Sequence, residues 1–557
     1  MMSDGSDELV FCALGGLGEI GMNAALYGFG PPQRRKWIMV DCGLAFAGPD
    51  LPGIDLLMPD ISFVESIRAD LLGLIITHAH EDHIGAVADL WPRLKCRVFA
   101  TPFATGLLEA KHSSDPAMAQ LRIETVRLGD TVSLSPFAIE FVPVTHSIPE
   151  STALAIRTPA GLVVHTGDWN LDATPVIGAP TDVERFRALG QEGVLALICD
   201  STNILREGES PSESEVAATL RRLIAEAPGR VAVTTFASNV ARLRAVAEAA
   251  MAAHRQVIVI GRAMDRVISV ARERGFLDGI PPFLPPDRFA SLPRQQTVLL
   301  ATGSQGEVRA ALSRMSQDDY GDVRLVPGDR VILSSRTIPG NEREVARVVN
   351  GLAKQGIEVI TDREALVHVS GHPRRAEVAK LYDWVRPRIA IPAHGEPLHL
   401  AEHAKLAQSL GVPFTVKAYN GDLVALWPGD PGIVDEVETG RLSKDGAVLL
   451  QPNDPAVAER SKLAFAGVVS IAFGLTSRGD LAGDPDVLIA GLPSRTRDGK
   501  AMDRLIDDTI FATLDTLGKG KRRDADAAAG AVERAVRGAV GAMWGKKPVV
   551  HVLVVEI

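Results

Sequence analysis

Seven residues carry side chains able to hold divalent cations, and each lies just past an apolar run. Four of them, His78, His80, Asp82 and His83, fall within six residues of the segment LLGLIITHAHEDHIG at 71–85. The others follow the same rule. Ile139 to Val144 leads to His146, Leu162 to Val164 leads through His165 to Asp168, and Ala390 to Pro392 leads to His394. Histidines two apart, with a carboxylate and another histidine close behind, are poorly explained by core packing, because buried imidazoles and carboxylates each need partners. Two cations held side by side need both nitrogen and carboxylate ligands brought from separate strand ends, so the set implies metal-assisted hydrolysis. A lone strand-end histidine is usually structural; the joint occurrence carries the inference.

These residues have to be positioned by a chain of 557 residues, too long for one core and suited to two or three domains. From Leu9 to about Asn203, short Val, Ile and Leu runs alternate with Gly and Pro, the pattern of a strand-rich sandwich with flanking helices. From about Ile204 the rhythm changes. Val231 to Thr235, Gln256 to Ile260, Thr297 to Ala301, Arg330 to Ser334 and Ile357 to Ile360 read as strands, with helix-length segments such as Glu213 to Ala227 and Asn239 to His254 between them. That alternation predicts a mostly parallel sheet. The next ligand-type motifs come after Asp362, so the parallel-sheet block reads as an insertion. The expected division is 1–203, the first part of a catalytic domain; 204–365, the insertion; 366–445, the second part with a linker; and 460–557, a small α/β domain. In that last unit Lys519, Lys521, Arg522 and Arg523 read as a solvated inter-helix loop rather than an RNA contact.

Composition narrows the class further. The chain is 46% hydrophobic and 23% charged, without an apolar stretch near the roughly 20 residues that span a bilayer. Its acidic start, Met1 to Glu8, lacks the positive charge of a secretory signal, so a cytoplasmic protein with no membrane partner is expected. Four widely spaced cysteines, Cys12, Cys42, Cys96 and Cys199, read as small hydrophobes rather than disulfides. A net charge of −10 excludes a global basic footprint; a nucleic-acid partner would have to be gripped in a local basic groove.

The ligand set resembles the metallo-β-lactamase superfamily, and the long insertion between Asp200 and His394 resembles its β-CASP group. TFASN (235–239), TGSQGE (302–307), SSRTIPGNE (334–342), HVSGH (368–372), PAHGE (392–396) and GGLGEIGMN (15–23) closely resemble the bacterial ribonuclease J family, over essentially the whole length. The resemblance implies an αββα sandwich with an inserted β-CASP sheet and a C-terminal α/β domain. It implies that His78, His80 and His146 hold one metal and Asp82, His83 and His394 the other, with Asp168 between them. The cofactors would be two Zn²⁺, with Mn²⁺ the alternative. Such a pair lowers the pKa of bound water and offsets charge on the attacked group. Asp41 in MVDCGLAF would be an outer carboxylate fixing a ligand histidine, against the bland reading of a turn cap, and Asp200 in ICDSTN would orient a ligand or substrate group.

The same resemblance turns the substrate toward RNA. His368 would face the scissile phosphate, while Ser370, His372, Ser238, Asn239 and Ser304 would grip other phosphates or the RNA 5′ end. TGSQGE, following the TVLLA strand, could equally be an ordinary α/β turn. Arg336, Arg343, Arg374 and Arg375 are candidate backbone contacts, with plain surface arginines the equal alternative. Two positions depart from the family pattern: Met22 stands where a lysine is usual, and Val308 where proline is usual. The expected activity is hydrolysis of RNA phosphodiesters, mainly 5′ to 3′ from monophosphate ends, with some internal cleavage. Homo-oligomers and other RNA-degradation proteins are the expected partners. The competing readings are a small-molecule hydrolase of the same fold and an inactive RNA-binding scaffold.

Overall fold

The computed structural model describes residues 6–48, 50–112, 120–338 and 340–557. Contacts divide the chain into one unit of Met1–Ala45 with Met58–Arg441 and another of Phe46–Leu57 with Leu442–Ile557.

Two mixed sheets, of eight and seven strands among the described residues, form the sandwich of the first unit. Alternation along the strands decides which side chains go where. In Phe137–Pro143, Phe137, Ile139 and Phe141 join Leu9, Phe11 and Tyr27 in the layer between the sheets. Val142 belongs instead to the cluster of Phe186, Leu381 and Leu406, contributed by helices Val183–Glu192, Arg375–Val385 and Pro397–Ser409. An αββα arrangement results. Each fully buried Leu, Val or Phe in these layers contributes about 1.5–3 kcal/mol.

The five strands expected in the insertion form one parallel sheet, in the order Gln256–Ile260, Thr297–Ala301, Val231–Thr234, Arg330–Leu333, Glu358–Ile360. Strand Val231–Thr234 sits at the centre, with Val231 opposite both Val298 and Arg330. The helix Glu213–Glu226 starts at a capping box in which Ser212 N–H donates to Glu215 Oε1 at 3.0 Å. The chain then returns to the sandwich, laying Ile389–Ala393 parallel to Val194–Asp200 and Asp422–Trp427 antiparallel to Glu8–Gly15.

One fully buried cation organises the junction of insertion and sandwich. Arg242, in helix Val240–Ala252, makes a bidentate pair with Glu213 at 2.7 and 2.9 Å. Its remaining donors reach the Ser334 and Val367 carbonyls at 3.0 and 2.9 Å, so the strand end at Ser334 and the start of HVSGH are tied to one guanidinium. Sequence patterning does not reveal this residue, because an arginine in an alanine-rich helix looks solvated.

In the second unit Val468–Leu475 is the central strand, antiparallel to Asp486–Ala490 and parallel to Val549–Glu556. Helices Met502–Thr516 and Ala525–Trp544 cover one face through Ile506, Ile510, Val532 and Val536, packed on Val469, Ile471 and Phe473. Among the described residues no helix is long and apolar enough to cross a membrane. The basic residues at 519–522 form a short helix with none buried.

Removing one partner of the buried pair leaves the other charge stranded, which costs about 3–5 kcal/mol. Arg242→Ala should therefore lower stability by that amount in urea denaturation. The double replacement Arg242→Met with Glu213→Leu should lose much less.

Candidate metal centre

Parallel pairing brings the ligands together, because strands running the same way end on the same edge. Asp200 pairs with Ala393 in register, so His394 follows directly beside it. His165 pairs with Ile198, which carries Asp168 to the same edge three residues later. In the other sheet Val40 pairs with Ile75, so Asp41 and the Thr77–His83 segment emerge together. Helix Glu81–Ile84 carries Asp82 and His83, and Gly85 and Ala86 separate it from the next helix, Val87–Leu94.

All seven expected ligands converge. His78 Nε2 lies 3.1 Å from His80 Nδ1, and His146 Nε2 lies 3.0 Å from the same nitrogen. Asp168 Oδ2 approaches His78 Nε2 at 3.7 Å and His146 Nε2 at 3.6 Å. On its other side it is 3.3 Å from His83 Nε2, while His394 Nε2 lies 3.4 Å from Asp82 Oδ2. Three groups able to hold a cation follow: His78, His80, His146 and Asp168; Asp82, His83, Asp168 and His394; and Asp168, Asp200, His372 and His394, with Asp168 common to all and the first two matching the expected pair.

A surrounding layer fixes the rings. Asp41 Oδ2 accepts from His83 Nδ1 at 2.7 Å, and its carboxylate also accepts from Thr77 N–H and Oγ–H, each at 2.8 Å. The Gly371 carbonyl accepts from His146 Nδ1 at 2.8 Å, turning Nε2 toward the cluster. Gly371 needs to be glycine for a steric reason: a Cβ there would sit 2.5 Å from His146 Nδ1 and 2.9 Å from Ser147 N. Asn23, from the glycine-rich first motif, donates to the Asp82 carbonyl at 3.1 Å.

The donor set suits metal. Asp168 Oδ1 and His394 Nε2 are buried without a hydrogen-bond partner, although Asp168 Oδ1 is only 2.9 Å from His394 Nδ1. Burial pushes the His80 ring down to about 4 and the His146 ring to about 3, so both present neutral lone pairs. Burial alone would raise the Asp168 carboxyl; the rings of His394 and His83 outweigh it and hold the group well below the usual carboxylate range. His83 and His394 behave oppositely: burial lowers them, but neighbouring carboxylates, Asp168 foremost, drive both well above 6.5. A cation supplies the charge those protons otherwise provide.

His372, expected to grip phosphate, belongs to this cluster. Its Nδ1 donates to Asp200 Oδ2 at 2.8 Å and lies 3.8 Å from Asp168 Oδ2. Burial would lower this ring, and Asp200 and Asp168 raise it. Burial, with Arg242 and Arg336 close by, pushes the His368 ring down to about 3, and its Nδ1 is buried without a hydrogen-bond partner. Asn239, expected at phosphate, caps helix Val240–Ala252 by accepting from Arg242 N–H at 2.9 Å. Ser304 is buried and its carbonyl accepts from Ser335 Oγ at 3.3 Å, while Ser238 is half-buried beside the same cap. Ser370 Oγ accepts from Asn203 Nδ2 at 2.8 Å. In TGSQGE it is Gln305 that works hardest, donating to the Arg336 carbonyl and accepting from Ile338 N–H, each at 2.8 Å, and so pinning the SSRTIPGNE loop. Met22 is fully buried, so its exchange for lysine touches packing rather than a surface phosphate contact.

Comparison with known proteins accords with this geometry. Family models match at 23–233 (metallo-β-lactamase superfamily), 228–352 (ribonuclease J, β-CASP domain), 356–418 (Zn-dependent metallo-hydrolase RNA specificity domain) and 455–557 (ribonuclease J C-terminal domain). A ribonuclease J from Sinorhizobium meliloti is 50% identical over 551 residues, covering 99% of this chain and 98% of that protein. The chain belongs to the ribonuclease J family. It is accordingly a metallo-hydrolase. A ribonuclease J from Mycolicibacterium smegmatis is 39% identical, covering 98% of this chain and 97% of that protein. A solved structure of a protein of unknown function from Enterococcus faecalis shares the fold, with a TM-score of 0.53 and 15% identity over 75% of this chain and 100% of that chain.

Gly371→Ala should weaken metal binding about 10- to 100-fold through His146 while the fold persists, as read by calorimetric metal titration and circular dichroism. Desolvation pushes the half-buried His165 ring, 2.8 Å from the Tyr27 hydroxyl, down to about 4 from an ordinary 6.5. Between those values the unfolded chain binds the extra proton, so this contribution is complete above pH 6.5 and is lost as pH falls toward 4. Thermal melts of metal-stripped protein should show a decline to which His80, His146, His368 and His403 also contribute, and His165→Gln should make it shallower by one histidine's share.

Proposed function

We propose that this chain hydrolyses RNA phosphodiesters, leaving 5′-phosphate and 3′-hydroxyl ends, mainly as a 5′-to-3′ exonuclease preferring 5′-monophosphate RNA and with endonuclease activity besides. The observation that carries the reading is Asp168, shared between two ligand groups at the edge where the inserted parallel sheet returns to the sandwich. The names of its relatives, each a ribonuclease J, support RNA as the substrate.

His78, His80, His146 and Asp168 would hold one Zn²⁺, and Asp82, His83, His394 and Asp168 a second, with Mn²⁺ an alternative at either. When bound, the cations supply an acidified water and offset the charge of the attacked phosphate. The chain's own groups do the rest. Asp41 keeps His83 in one orientation, and the Gly371 carbonyl does the same for His146. With Nδ1 committed to Asp200, His372 has its other ring nitrogen free to hold a proton for the departing 3′ oxygen. Burial and the neighbouring Arg374 lower the Arg336 guanidinium while Asp362 raises it, and Arg336 with Arg374 would offer backbone phosphates a local basic patch inside an acidic protein. A 5′ end anchored about one nucleotide from the metals would place the next linkage for attack, which makes cleavage stepwise. Few aromatic residues, 5% of the chain, imply low sequence preference. Action in the cytoplasm, as a homo-oligomer alongside other RNA-degradation proteins, completes the proposal.

Wild type and His80→Ala incubated with 5′-monophosphate and 5′-triphosphate RNAs, followed by product sizing, test it. Mononucleotides should appear from the monophosphate RNA and vanish in the variant. Lactone or thioester turnover without RNA cleavage would instead make the protein a small-molecule hydrolase.

A further inference from the structure

A hydrophobic layer on the outer face of the seven-stranded sheet contains three polar side chains in a row. Tyr382, His403 and Ser201 are 3%, 0% and 1% exposed, among Val378, Leu381, Val385, Leu406 and Cys199. His403 Nε2 is 3.0 Å from the Tyr382 hydroxyl, and Nδ1 is 2.8 Å from Ser201 Oγ. Ser201 Oγ–H reaches the Cys199 carbonyl at 3.4 Å. One assignment satisfies every donor: Tyr382 O–H donates to Nε2, Nδ1–H donates to Ser201 Oγ, and Ser201 donates to Cys199. Burial pushes the His403 ring down to about 4, so it stays neutral and keeps that pattern at working pH.

Burying three polar groups where apolar ones would pack is costly unless they hydrogen-bond, as these do, and a fully satisfied row holds its parts in one arrangement. Their attachment points show which parts those are. Tyr382 is in helix Arg375–Val385, which begins three residues after His372. His403 is in helix Pro397–Ser409, which begins three residues after His394. Ser201 directly follows Asp200 at the end of strand Val194–Asp200. Ser201 also backs the other segment directly, since a Cβ on Gly395 would lie 3.1 Å from the Ser201 Cβ. Each of the three elements thus delivers one member of the Asp200, His372 and His394 group, whose ligand atoms all lie within 4.8 Å of one another.

We infer that Tyr382, His403 and Ser201 form a positioning relay that locks two helices and a strand end together, and so sets the geometry of the Asp200–His372 pair for catalysis. Among the described residues no hydrogen bond joins these three side chains to a candidate ligand, and the relay rests on the ribonuclease reading above. Because it acts through Asp200, it governs turnover rather than RNA affinity.

The test compares wild type, His403→Phe, His403→Gln, Tyr382→Phe, Asp200→Asn and the double variant His403→Phe with Asp200→Asn on 5′-monophosphate RNA, with melting temperature and metal content recorded. His403→Phe should lower kcat about tenfold with KM within about twofold, the scale of losses on removing groups that orient a metal site from outside. His403→Gln, which keeps a donor and an acceptor, should recover most of that loss. In the Asp200→Asn background the replacement should have little further effect. Full activity in His403→Phe, or a loss that multiplies with that of Asp200→Asn, overturns the relay. Should His403→Phe not fold, Tyr382→Phe decides, with a fall in kcat of at least threefold supporting the relay and an unchanged kcat overturning it. Wild type that is inactive on RNA overturns the ribonuclease reading and the relay together, whereas active wild type beside unaffected variants overturns the relay alone.

Discussion

Asp168 lies within 4.8 Å of both Asp82 and Asp200, it and Asp200 buried, among the imidazoles of His78, His80, His83, His146, His372 and His394. So many ionisable groups cannot be withdrawn from water together unless something compensates their charge. In the bare protein, raised histidines and lowered carboxylates do that. Divalent cations would do it better, and Asp168, common to the groups able to hold one, is the residue that would let two sit side by side.

The fold answers this constraint through parallel strands. Val194–Asp200 is flanked in parallel by Gly161–His165 and Ile389–Ala393, so Asp168, Asp200 and His394 reach one edge although more than two hundred residues separate the first from the last. The inserted sheet does not interrupt this edge; it hands the chain back through HVSGH, whose glycine carbonyl orients His146 and whose last histidine engages Asp200. Arg242 ties the start of that segment to the insertion's own core. Insertion and metal edge are therefore linked by hydrogen bonds through HVSGH and Arg242.

Much of this was legible in the sequence, for a physical reason. A strand that ends in a ligand must be apolar up to that point and polar immediately after, and HAHEDH, His146, Asp168 and His394 all show that step. The insertion was legible because five strand-length runs alternate with helix-length segments. Individual roles in the loops were harder. His368 and His372 stand four residues apart in one motif, and nothing in their spacing tells which meets carboxylates and which meets arginines. Asn239, assigned to phosphate by the family resemblance, also caps a helix, a role its motif does not announce. Arg242, and the polar row of Tyr382, His403 and Ser201, carry no signal at all, since long-range hydrogen bonding leaves no periodicity.

The claim on which everything else rests is that Asp168 serves two cations at once. Elemental analysis of purified wild type and of the isosteric variant Asp168→Asn, after equilibration with Zn²⁺ and removal of free metal, tests it directly. Two equivalents per chain in wild type and no more than one in the variant is the predicted result. Two equivalents retained in Asp168→Asn, or a single equivalent in wild type, would contradict it.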